Sequence, residues 1–98
     1  MANNFTPAQR RAYDALRHRV AGILERYDVL TQRSLATACS VTEAAISSLL
    51  RGRMTSVVVL DRLVVALSMR ISRDDRRLLQ RDRAHMTKRF NHRGRRSA

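Results

Sequence analysis

The chain has 98 residues with 20 basic and 8 acidic side chains, a net charge of +12, and its aromatic content is 4% with no tryptophan. That length supports one modest core, which must be aliphatic. A single cysteine excludes an internal disulfide, nothing resembles a secretory leader, and no apolar run nears the ~18 residues that span a bilayer, so a reducing, cytoplasmic setting is expected.

Residues 1–4 carry nothing that would anchor them. Thr6-Pro7-Ala8-Gln9 then reads as a helix start, with a hydroxyl cap, proline at the first helical position and a glutamine placed for a capping box. Tyr13, Leu16, Val20, Ile23, Leu24 and Tyr27 recur at the helical period and predict a helix over 7–27. Thr31 caps a predicted short helix over 32–38 with Leu35, Ala36 and Cys39 inward. Thr42 caps another over 43–51 with Ala45, Ile46 and Leu49 inward, and Gly52 follows where a left-handed residue suits. Ser56 opens a fourth helix running to Met69. Its "VVVLDRLVVAL" has strand-like composition, but Leu60, Leu63, Val64 and Leu67 keep the helical period and Asp61-Arg62 breaks strict alternation. Ser72, Asp74 and Asp75 mark a fifth helix to about Phe90, whose apolar positions are only Leu78, Leu79, Met86 and Phe90. The closing "NHRGRRSA" has a disordered composition. The expected fold class is all-α, with five helices.

Helices shorter than about 12–15 residues are marginal in water, so the central pair must hold each other and rest on the helices around them. Two helices crossing steeply at a tight turn make a helix-turn-helix, and a protruding helix of that width fills the major groove of DNA. "LTQRSLATACSVTEAAISSLLRGR" followed by "LDRLVVAL" resembles the Cro/C1-type (XRE) helix-turn-helix family of phage and bacterial regulators. The resemblance rests on Leu30-Thr31-Gln32, Leu35-Ala36, Val41-Thr42, Ile46-Ser47, Gly52 and Leu60 through Leu67, within about residues 12–69. It implies a lambda-repressor-like arrangement and sequence-specific DNA binding. The chain departs from the family pattern with Ser40 for the usual turn glycine, Leu50 for a frequent glutamate, and Ser56-Val57 where proline is common.

On the third helix, Glu43, Ala44, Ser47 and Ser48 fall outward, and the resemblance places base contacts near its N-terminus. Glu43 would accept from a cytosine amine, Ala44 would meet a thymine methyl, and the serines would bond to base edges or phosphate. The plainer role for Glu43 is an acid favoured by the helix dipole. Thr31, Gln32, Arg33 and Thr42, at helix starts, and Arg51 and Arg53, flanking Gly52, are candidate phosphate contacts. Simple capping by the threonines and solvated surface arginines are the alternatives. Cys39 reads as a small buried hydrophobe, and His18, His85 and His92 lack partners at ligand spacing, so neither a metal nor a cofactor is expected. No nucleophile–base pattern or phosphate-binding glycine loop points to catalysis.

Charge is uneven along the chain. Residues 70–98 hold 11 basic and 3 acidic groups, a net +8, whereas 1–30 and 31–69 each carry +2. A basic end on a balanced body suggests a polyanionic partner, most often nucleic acid, with a merely solubilising tail as the alternative; double-stranded DNA is the partner that the family resemblance implies. The expected organisation is a DNA-binding domain over 1–69 and a basic helix and tail over 70–98. A homodimer on an inverted repeat is expected, with Leu50, Val58, Val65, Leu78, Leu79, Met86 and Phe90 as its apolar contacts. The alternative is that residues 73–90 fold back onto their own domain. The leading function is a transcriptional regulator associated with the nucleoid, a repressor of phage or mobile-element type. An activator that contacts RNA polymerase and an antitoxin that also binds a toxin are the competing readings, and a charge-driven packing protein is the third.

Overall fold

The computed structural model describes the backbone of residues 5–27 and 29–96, and side chains through residue 90. Five helices form it: α1 (Pro7–Arg26), α2 (Gln32–Cys39), α3 (Glu43–Leu50), α4 (Val57–Ser68) and α5 (Arg73–Arg96). No strand occurs among the described residues. Residues 1–4, expected to be unanchored, and residues 97–98 lie outside the described part.

Local chemistry sets the helix starts. The Thr6 hydroxyl accepts from the Gln9 N–H at 3.1 Å, and the Gln9 side chain accepts from the Thr6 N–H at 3.0 Å, completing the capping box. Thr31, Thr42 and Ser56 cap α2, α3 and α4 by accepting from the N–H three residues on. α1 ends one residue earlier than its period suggests, because Tyr27 is extended (φ −114°, ψ 94°). α4 is helical despite its β-branched composition: Leu60, Leu63, Val64 and Leu67 are fully buried along one side.

One cluster of buried side chains unites all five helices, from Ala12 on α1 to Met86 on α5. The expected boundary at residue 69 therefore does not separate two cores. Leu79 and Met86, expected at a dimer surface, are buried within their own chain (0% and 1% exposed) because α5 packs on α1 and α4. Phe90 meets Phe5 edge-on, with ring centroids 4.9 Å apart, and Leu78 is half-buried. The α1–α5 joint is polar at its edges. Arg19 donates to Asp82 at 2.7 Å, Arg26 donates to Asp75 at 2.8 Å, and the Gln9 amide donates to the Arg89 carbonyl at 3.3 Å. α5 also continues to Arg96, so the backbone of residues 91–96, where the composition suggested disorder, is helical instead.

Tyr13 of α1 and Tyr27, just past its end, hold the starts of the last two helices. The Tyr13 hydroxyl accepts from the Ser56 N–H, and the Tyr27 hydroxyl accepts from the Ser72 N–H, both at 3.0 Å. Burial pushes the Tyr13 hydroxyl above its ordinary pKa. Tyr27 also donates to Asp75 at 2.7 Å. That bond, with those from Arg26 and Ser72, holds the Asp75 carboxyl below its usual range.

Candidate nucleic-acid interface

The link between α2 and α3 is short because Ser40 turns the chain in the left-handed region, at φ 60° and ψ 40°. The Val41 N–H then reaches back to the Ala36 carbonyl at 3.0 Å and the Ser40 N–H to that of Thr37 at 3.3 Å, closing the C-terminus of α2. Val41 packs against the core, so the turn is held on its apolar side as well. Leu35, Ala36 and Cys39 of α2 and Ile46 and Leu49 of α3 are buried, as their spacing implies. Ala45 is only half-buried. Burial also pushes the Cys39 thiol up, as suits a packing side chain rather than a reactive thiolate.

At the start of α3, Thr42, Glu43 and Ala44 are exposed. The carboxylate of Glu43 has a partner across the turn, Arg33 Nε at 3.7 Å, with both side chains open to solvent. An exposed pair of this kind is worth little, so either member is free to take another partner at small cost. Ser47 and Ser48 are half-buried and form the flank of the helix rather than its crest. Thr31 is exposed at the start of α2 with its oxygen committed to the Ser34 N–H, and Gln32 beside it is half-buried.

The far end of α3 presents Arg51 and Arg53, both exposed, on either side of Gly52 at φ 81°. The Arg53 and Met54 N–H groups both close on the Ser48 carbonyl, at 2.8 and 3.1 Å. Behind this loop lies Arg17 of α1, a residue off the apolar stripe to which sequence reading attached no role. Its guanidinium donates to the Leu50 carbonyl at 3.1 Å, lies 3.4 Å from the Asp14 carboxylate, and sits beneath Gly52. Its Nε is buried without a partner among the described residues. Arg17 thus caps the C-terminus of α3 and fixes the loop bearing Arg51 and Arg53. The only local signal was the Asp14–Arg17 spacing; the Leu50 contact is a product of the fold.

The carboxylates of α5 also shape the charge. Asp75 and Asp82 turn inward to arginines of α1, which leaves Arg73, Arg77, Arg81 and Lys88 exposed on the opposite side of the helix. The structure therefore brings Arg33 to Glu43 and gathers Arg51 and Arg53 around Gly52. It removes Leu79 and Met86 from any surface. Of the remaining dimer candidates, Val58 and Val65 stay exposed, Leu78 is half-buried, and Leu50 and Phe90 pack partly against the core. No group of three or more His, Cys, Asp or Glu side chains able to hold a metal occurs among the described residues, and no described helix is long and apolar enough to cross a membrane. No family model matches the chain, and comparison with curated proteins and with solved structures gives no significant match.

Proposed function

We propose that the protein is a sequence-specific DNA-binding transcriptional regulator of lambda-repressor-like helix-turn-helix type, with α3 as the recognition helix. The observation that carries the reading is the α2–α3 pair itself: two eight-residue helices joined through a left-handed Ser40, packed on α1 and α4, with an exposed polar first turn on α3. In this reading Glu43 and Ala44 meet base edges from the helix N-terminus, and Ser47 and Ser48 follow the groove wall. Arg51 and Arg53 close on phosphates beyond it, and Thr31, Gln32, Arg33 and Thr42 serve the backbone at the helix starts. The Glu43–Arg33 pair opens on binding, one side chain turning to a base and the other to a phosphate. The outward arginines of α5 add sequence-independent attraction. One such helix reads a half-site, and two copies serve an inverted repeat about one helical turn apart.

The test is footprinting on the DNA flanking the protein's own coding sequence. A protected inverted repeat is expected. Ala44→Glu, at an exposed position, should abolish protection while leaving the helical circular-dichroism signal unchanged. Protection that survives this substitution would remove α3 from the groove.

A further inference from the structure

α4 has a second face. Val58, Arg62, Val65 and Met69 are spaced by four, three and four residues, so they share one stripe about 16 Å long on its outer side. All four are exposed, the apolar three at 61%, 42% and 77%. They are not scattered surface residues but part of a trough. Three adjoining hollows of about 670, 450 and 350 Å³ run from Ala38 and Cys39 at the end of α2, along α4, to Met86 and Phe90 on α5. Val65 and Met69 are shared by the first two hollows, Asp61 and Arg62 by the first and third.

The rim is cationic. Four arginines line the trough, Arg62, Arg70, Arg76 and Arg83, against one carboxylate, Asp61. Arg83 occupies that carboxylate with two bonds, at 2.6 and 3.2 Å. Arg70 and Arg76 donate only to the carbonyls of Ala66 and Ile71, and Arg62, Arg70 and Arg76 have no carboxylate partner among the described residues. We infer that this trough docks an acidic amphipathic helix of another protein, whose apolar stripe covers Val58, Val65 and Met69 while its carboxylates pair with Arg62, Arg70 and Arg76. A phosphate backbone would leave the apolar floor uncovered. A second copy would set the arginines of both chains face to face, an arrangement that like charge opposes. An amphipathic helix satisfies floor and rim together. The inference is independent of whether α3 reads DNA.

The test uses the full chain and a labelled peptide of about 18 residues, roughly five helical turns, with leucines on one face and glutamates flanking them. Fluorescence anisotropy should show it binding at least about tenfold more tightly than a scrambled peptide of the same composition. Val65→Asp, or Met69→Gln should the first variant unfold, should weaken it about tenfold. Arg62→Glu with Arg70→Glu should abolish binding and create binding of the counterpart with lysine for glutamate. Arg77→Glu with Arg81→Glu, on the outer side of α5, should change affinity less than about threefold. Equal affinity for the scrambled peptide, or equal loss in the α5 control, would overturn the inference. So would sedimentation of the chain alone as a dimer that Val65→Asp dissociates, because a second copy would then occupy the face.

Discussion

Ser40 holds φ 60° and ψ 40°, where its Cβ crowds the following carbonyl at a cost of roughly 1 kcal/mol. Glycine removes the clash but adds freedom to the unfolded chain, a term of similar size and opposite sign. Ser40→Gly should therefore leave the melting temperature unchanged or raise it by up to about 4 °C. A clear fall would mean that the serine side chain itself holds the turn. Asp75 makes a different kind of contribution. The Tyr27 hydroxyl, then Arg26 and Ser72, favour its charged form, so its folded pKa lies below the ordinary 3.8. A depressed carboxylate pKa stabilises the fold above the unfolded value, and that stability is lost as pH falls through the folded one. The melting-temperature gap between wild type and Asp75→Asn should hold constant from about pH 5 to 8 and shrink below about pH 4. A gap that persists undiminished in acid would assign the effect to Tyr27 and Ser72 geometry alone.

α2 and α3, at eight residues each, depend on what surrounds them. Each has a threonine cap, a shared apolar seam and, for α3, the Arg17 guanidinium at its C-terminal carbonyl. The loop after α3 is the part where element and proposed function meet, since Gly52 lets the chain reverse and turns two arginines outward. If these are phosphate contacts, Arg51→Ala and Arg53→Ala should each weaken specific and random DNA alike. Each should also reduce the slope of log K against log salt by about one unit. Losses confined to the specific site would make them base readers instead. The capping of these elements was legible in the sequence because a cap needs only a hydroxyl and an N–H three residues on. Arg17 was not, because its partner carbonyl on Leu50 is 33 residues away.

At the scale of the whole molecule, α5 is part of the core and not an appendage. Leu79 and Met86 are as buried as any residue of α4, and α5 covers α1 from Gln9 to Arg26. Leu79→Ala should destabilise the protein by about 2–5 kcal/mol, the usual cost of emptying a leucine site in a core. Truncation after Met69 should abolish cooperative unfolding rather than release a trimmed folded domain. A sharp melt from the truncated chain, followed by circular dichroism, would show that α1–α4 suffice.

The existence of five helices, their caps and the inward side of the first four follow from the sequence alone, because those features depend on neighbours within one or two turns. Tyr13, Leu16, Val20 and Ile23 can bury together only as a helix, and Thr31 and Thr42 can cap whatever their neighbours are. The destination of α5 was decided by tertiary structure. Its sparse apolar positions fit a second chain as well as their own, and the choice turned on partners far away in sequence: Phe5 for Phe90, Arg19 for Asp82 and Arg26 for Asp75. The same packing left Val58, Val65 and Met69 uncovered beside arginines that have no carboxylate partner among the described residues. Periodicity marks a side chain as apolar and facing a given way; only the assembled helices determine whether anything lies there to meet it.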